Sequence, residues 1–225
     1  MIIPVIFEDE NILVIDKPSG VVVHPFDFSD EETVLDFLHE HVPLMFSIIN
    51  SITLQDGRII PLGGIVHKLD RETSGIMVVA KNEATFMELK KEFLTHTTTK
   101  KYIALVEGVI EKETYTIDAP LGRNKKEYKQ SVNPINPRGE LRSAITEVKV
   151  LHRNKDTTLV ELTPLTGRTH QLRAHMSYNG HPIIGDIAYG STIKDSRIML
   201  HAYSLSFILG GEERIFTAKP SAEFR

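Results

Sequence analysis

Residues 63–75 read GGIVHKLDRETSG. An apolar pair, Ile65-Val66, runs into His67, Lys68, Asp70, Arg71 and Glu72, and a Thr-Ser-Gly turn closes the stretch before the chain becomes apolar again as IMVVAKN. The pattern predicts a strand on each side of a charged loop. Five ionisable side chains are a poor filling for a hairpin core. The loop is therefore expected to present them for chemistry or binding, held by the strands that flank it. Asp70 stands where the first strand is expected to end. Taken alone, an Asp before a Thr-Ser-Gly turn also reads as a residue that bonds its own local backbone. Glu72, two residues on, suggests the carboxylate pair of a glycosidase, but closeness in sequence does not fix separation in space.

Working outward, NILVIDKPSGVVVHP predicts strand, turn, strand, with Pro18-Ser19-Gly20 as the turn and Val21 to Val23 as the second strand. Ser29 or Asp30 is the expected cap of a short helix through EETVLDFLHEHV, with Val34, Leu35 and Leu38 on one face. Residues 43–62 show no clear period and are expected to form a long loop with at most one short strand. Asn82 is the expected cap of EATFMELKKEFLTH, where Phe86, Leu89, Phe93 and Leu94 recur at helical spacing. KKYIALVEG alternates as a strand does. Residues 121–143 are basic, proline-bearing and aperiodic, the signature of a surface loop or loosely paired hairpin. AITEVKVLHR and TTLVELTPLTG form a hairpin through NKD, and two more strands follow around GGE near the end. These elements predict an α+β fold with a largely antiparallel sheet and a few helices, arranged as one domain over residues 1–225.

Composition bounds the function. At 225 residues, 41% hydrophobic and 25% charged, the chain is an ordinary globular protein with a core to bury. It has no cysteine, which rules out disulfides, thiolate nucleophiles and zinc-thiolate sites. The first residues, MIIPVIFEDENILVID, lack the basic start and long apolar run of a signal peptide. No apolar stretch approaches the ~18 residues of a membrane span. A cytoplasmic, monomeric protein is expected. The net charge of −4 does not itself suggest a polyanion partner, although binding depends on local patches.

A second constellation lies in LTPLTGRTHQLRAHMSYNGHPIIGDIAYG, which gathers Arg168, His170, Arg173, His175, His181 and Asp186. Leu172, His175 and Met176 have helical spacing, and Gly180 suits the end of that helix. Arg168, at the expected helix start, has the planar fork that pairs with carboxylate or phosphate. His170 and His175 are five apart, a poor match to the i, i+4 pair of helical zinc sites.

These residues carry a resemblance. GGIVHKLDRETSG resembles the catalytic motif of the RluA family of pseudouridine synthases, His-Arg-Leu-Asp, two variable residues, Thr-Ser-Gly. The second constellation resembles the same family's C-terminal motif, KKYIALVEG its tyrosine strand, and DENILVIDKPSGVVVHP its opening hairpin. The four motifs come in the family's order and span residues 9–190. The resemblance implies a mixed, mainly antiparallel sheet with flanking helices and a central catalytic cleft. It also implies isomerisation of uridine to pseudouridine within RNA, without metal or organic cofactor. The bond from ribose C1′ to uracil N1 breaks, the base turns, and C1′ joins C5. A carboxylate serves this as nucleophile or as base, and the two routes stay open.

By the same resemblance Asp70 is that carboxylate. Tyr102 stacks on the flipped uracil and assists loss of the C5 proton, while Arg168 pairs with Asp70. A stacked uracil is out of reach, so the target must be flipped or single-stranded. Lys68 stands where the family has arginine, and a lysine has no plane to stack with. Lys68, Arg71 and Arg173 are expected to contact RNA, as are Arg123, Lys125 and Lys126 of the basic middle segment, with Lys100, Lys101, Lys129, Arg138 and Arg142 close by. His67 is expected to contact phosphate or scaffold. The catalytic hairpin starts within ten residues of Met1, so RNA, a stem-loop of tRNA or ribosomal RNA, is expected to be held by the catalytic domain itself. Two rivals remain from the residues alone: an N-glycosidase acting on nucleosides, and an RNA-binding protein without activity.

Overall fold

Two apolar runs with no polar alternation, Ile12–Ile15 and Ile76–Ala80, organise the first part of the chain. The structure, a computed structural model, describes residues 1–25, 31–54, 56–124, 129–132 and 137–224. The chain divides into two units, Met1–Thr98 with Ser204–Lys219, and Thr99–Tyr203 with Pro220–Arg225.

In the first unit β1 (Val5–Glu8) and β2 (Ile12–Lys17) form the opening hairpin, and β2 pairs antiparallel with β5 (Ser74–Ala80) from Ile12↔Ala80 to Lys17↔Gly75. Every residue of β5 is buried. A strand covered on both faces reads as a continuous apolar run, which explains why neither segment alternates. Two glycines precede the Asp70 loop. A Cβ on Gly64 would collide with the Ala80 carbonyl, so that close approach needs glycine.

Three expectations are corrected here. Val21 to Val23 do not form a strand. The Val22 and Val23 carbonyls accept the N–H groups of Val34 and Leu35, in the first turn of α1 (Val34–His41). The cap of that helix is Thr33, which exchanges hydrogen bonds with Asp36 as a capping box; Ser29 and Asp30 lie outside the described residues. Residues 43–62 carry a 3₁₀ turn (Pro43–Ser47) and a hairpin, β3 (Ser51–Thr53) with β4 (Ile59–Pro61). The helix α2 (Glu83–Leu94) is capped as expected, with Asn82 accepting from the Thr85 N–H at 3.0 Å. Phe86 and Leu89 are buried beneath it, whereas Leu94 is exposed.

The second unit is a four-stranded antiparallel sheet in the order β6 (Thr99–Glu107), β12 (Thr157–Pro164), β11 (Ile145–Arg153), β7 (Thr114–Asp118). Along β12 the alternation is strict: Thr158, Val160, Leu162 and Pro164 are buried and their neighbours are not. Leu172 and Met176 of α3 (Gln171–Tyr178) join Ile103, Val106, Val148 and Val160 in one core. Gly180, just past α3, has φ +83°. The middle segment is more ordered than expected: β8 (Leu121–Asn124), β9 (Gln130–Val132) and β10 (Pro137–Arg142) make a small antiparallel sheet. The chain ends with β13 (Leu200–Leu209) and β14 (Glu212–Thr217), which pair from Ser204↔Thr217 to Leu209↔Glu212. The fold is α+β with antiparallel pairing throughout these ladders. Among the described residues no helix is long and apolar enough to cross a membrane.

Candidate active site

The charged loop of the first unit is fixed by its own carbonyls. Those of Asp70, Arg71 and Glu72 each accept a hydrogen bond: from the Thr73 N–H at 3.1 Å, from the Gly20 N–H at 2.9 Å, and from the Ser19 hydroxyl at 2.7 Å. The turn is thus closed by the Asp70 backbone carbonyl. Ile65 keeps a single bridge to Val79, and the run from Val66 to Asp70 forms no strand. Leu69 is buried between exposed Lys68 and half-buried Asp70, which anchors the loop by one apolar side chain between two polar ones.

His67 belongs to the scaffold. Its Nε2 accepts the Val78 N–H at 3.1 Å, and its ring stacks on Phe93 with centroids 4.4 Å apart. Arg71 donates from Nε to the Gly20 carbonyl and from Nη2 to Glu31 at 2.9 Å, with both side chains half exposed. Such a pair is weak enough for a phosphate to displace. Burial pushes the buried His24 below the usual histidine range; the Pro25 carbonyl opposes this and the Lys68 charge adds to it.

Three arginines share a groove of about 420 Å³ in the second unit: Arg123 on β8, Arg142 on β10 and Arg168 in the turn before α3. Gln130 and Thr169 line it too, and Glu140 is the only carboxylate among its described lining residues. Arg168 donates from Nε to the Ser143 carbonyl at 3.0 Å, and its backbone N–H donates to the Gln171 side chain at 3.1 Å. Gln171 also accepts from the Thr166 hydroxyl and donates to the Ile145 carbonyl, so this turn is braced before the helix starts. Tyr102 lies on β6 opposite Leu162, half-buried, its ring against the core.

Other expected contacts have different partners. Arg173 is buried and donates to both carboxylate oxygens of Asp186, at 2.7 and 2.8 Å, under the Tyr189 ring. Expected at RNA, it is turned into the protein, because an arginine in the first turn of this helix meets an aspartate that the sequence places thirteen residues away. Lys101 pairs with Glu161 at 3.3 Å, and Lys129 donates to the Ala188 carbonyl. Lys125 and Lys126 lie outside the described residues, as does the side chain of Arg138. His170 takes a left-handed conformation at the helix cap, with Nδ1 at 3.0 Å from the Tyr189 hydroxyl. His175 is fully buried between Thr146 Oγ1 and the Ala119 carbonyl. The two histidines thus have different hydrogen-bond partners.

A family model described as RNA pseudouridylate synthase matches residues 11–178, a stretch that includes Asp70, Tyr102 and Arg168. The chain belongs to this family. It is 40% identical to an uncharacterised RNA pseudouridine synthase of Bacillus subtilis, YlyB, over 92% of this chain and 65% of that protein. It is 38% identical to the ribosomal large subunit pseudouridine synthase D of Borreliella burgdorferi, over 92% of this chain and 62% of the relative. It therefore spans somewhat less than two thirds of these relatives. Among solved structures, human RNA pseudouridylate synthase domain containing 1 superposes with a TM-score of 0.78 at 27% identity, covering 97% of this chain and 84% of that one.

Sequence reasoning missed Lys17 and Ser19, which hold the Asp70 loop from 54 and 53 residues away, and the bracing by Gln171. A lysine closing the apolar run NILVID was the one available signal for the first of them.

Proposed function

We propose that the chain is an RNA pseudouridine synthase that isomerises a specific uridine. The observation that carries this reading is the Asp70 turn, whose three successive carbonyls are all tied down, in a chain matched by the RNA pseudouridylate synthase model. A carboxylate on a fixed loop suits a reaction in which positive character grows on the ribose. Asp70 is the group that attacks or takes a proton. Tyr102 is the ring that stacks on the flipped uracil, and Arg168 is the cation of the site. The names of two relatives make large-subunit ribosomal RNA the first substrate to test, with tRNA second.

The arginine groove supports RNA binding in the second unit: among its described lining residues, three guanidiniums against one carboxylate give a local positive field in a protein whose net charge is −4. Arg123 stays a proposed RNA contact and Arg142 joins it. Lys68, Arg71, Lys125 and Lys126 stay proposed contacts, while Arg173 is proposed as scaffold. The two units are proposed to serve one catalytic domain, acting as a monomer in the cytoplasm.

The test is incubation of the purified protein with ribosomal RNA and tRNA transcripts, followed by mapping of pseudouridine and assay of free uracil. Conversion at a defined uridine without free base is expected. Free uracil would favour the N-glycosidase, and RNA binding with neither product would leave an inactive RNA-binding protein.

A further inference from the structure

The groove of the second unit holds a group that phosphate binding does not use. Beside Arg123, Arg142 and Arg168, its described lining residues include the carboxylate of Glu140. Glu140 and Arg142 stand two apart on β10 and both reach the groove, as alternate residues of a strand do. Arg123 on β8 is directly opposite Gln130 on β9, so their side chains share a face. Glu140 is exposed and Gln130 half-buried. Among the described residues, the Glu140 carboxylate and the Gln130 carboxamide have no hydrogen bond or ion pair within the protein.

A carboxylate repels phosphate, so a groove for the RNA backbone alone is better without one. It suits a ligand that also carries N–H donors, and each unpaired nucleobase presents a different set. On its Watson–Crick edge guanine has two adjacent donors, N1–H and the N2 amine, followed by the O6 acceptor. Adenine and cytosine have one donor group beside a ring acceptor. Uracil has one donor between two carbonyls. The two oxygens of a carboxylate match guanine; against the other bases one oxygen faces an acceptor or no partner. The Gln130 amide then supplies a donor for O6. The guanidiniums supply planes to stack on and partners for the flanking phosphates. The groove volume of about 420 Å³ lies in the range of small-ligand sites, about 300–1,000 Å³.

We infer that Glu140 is a specificity residue: in the arginine groove it reads an unpaired guanine of the RNA, accepting from N1–H and the N2 amine. The inference rests on the proposed RNA substrate and adds to it a base, other than the target uridine, that the protein selects. A carboxylate that merely offset the neighbouring arginines would act on all RNA alike, and the difference is measurable.

The test is the affinity of the protein for short oligouridine RNAs whose central residue is guanosine, inosine, adenosine, cytidine or uridine. The guanosine oligomer should bind about tenfold or more tighter than the adenosine, cytidine and uridine ones. Inosine keeps N1–H and lacks the N2 amine, so its oligomer should fall between. Glu140→Gln exchanges one acceptor for a donor at an exposed side chain and should cut the guanosine preference to about twofold. Binding of the all-uridine oligomer by this variant reports that the groove is intact. Equal binding of the five oligomers by the parent, no binding of any, or a preference for another base overturns the inference. So does a Glu140→Gln protein that binds all five more tightly with the guanosine preference unchanged, because Glu140 then only offsets the arginines. Competition by guanosine 5′-monophosphate as strong as that of the guanosine oligomer would make the ligand a free nucleotide and overturn the RNA reading. A guanosine preference carried by Glu140 in a protein that forms no pseudouridine overturns the proposed reaction and leaves this site standing. Pseudouridine formed by a protein that binds the five oligomers alike does the reverse.

Discussion

Arg173 and Asp186 meet as a buried two-pronged ion pair, with Nε donating to Oδ2 at 2.7 Å and Nη2 to Oδ1 at 2.8 Å. The Asp186 side chain has no exposure and that of Arg173 only 9%. Tyr189 lies over the guanidinium and meets His170 through its hydroxyl, so the pair joins α3 to the 3₁₀ turn at Ile187–Tyr189. Breaking a buried pair from one side leaves an uncompensated charge. Asp186→Ala should therefore lower stability by about 3 kcal/mol in urea unfolding, with RNA affinity of the folded protein nearly unchanged. Unaltered stability with lost affinity would return Arg173 to the RNA surface.

Asp70→Asn keeps shape and removes the charge the proposed reaction needs. It should fold, bind RNA and form no pseudouridine. Turnover above ~1% of the parent would refute Asp70 as the acting group, since loss of a central catalytic group costs orders of magnitude.

Tyr102→Phe keeps the ring on the β6 core and removes the hydroxyl. RNA affinity should stay near normal while turnover slows strongly. The opposite split, weaker binding with full turnover at saturation, would make the hydroxyl a binding group.

The groove predicts a salt effect. Each lost phosphate contact lowers the slope of log affinity against log salt by about 0.7 to 0.9. Replacing Arg123 and Arg142 together with alanine should flatten it by roughly 1.5 units if both touch phosphate. An unchanged slope in titrations at several salt concentrations would move RNA binding away from this groove.

The buried histidines predict acid sensitivity. Burial pushes His175 below the ordinary histidine value of 6.5, against the opposing Ala119 carbonyl and the Asp118 charge; His24 is lowered as well. As pH falls below 6.5 the unfolded chain takes up protons that the folded one refuses. Stability should thus be full above pH 6.5 and decline below it, with a limiting slope of about 1.4 kcal/mol per pH unit for each group. His175→Gln should show a shallower decline between pH 6.5 and 5 in denaturant titrations. Parallel curves for the two proteins would exclude His175 as a source of the effect.

Several elements were legible because their signals are local. Strict alternation identified β12, and the Asn82 side chain marked the start of α2 within three residues of the amide it caps. Gly180 marked the end of α3. Other assignments failed where a distant partner overrode the local pattern. Val21 to Val23 have strand propensity, yet two of their carbonyls serve the first turn of α1. The segment 121–142 has weak periodicity because its small sheet is built on arginine, glycine and glutamine with few apolar positions.

The sequence by itself determined the α+β character, the antiparallel hairpins and the family, since hydrophobic period, caps and motif spacing all act over a few residues. It also named Asp70, Tyr102 and Arg168 as the residues to test. Only the tertiary structure decided what each charged side chain meets. Arg173 turned to Asp186, His67 to the Val78 amide, and Lys17 to the Arg71 carbonyl. A charge or donor leaving water takes the partner that folding brings within about 3 Å, and sequence separation says nothing about which partner that is.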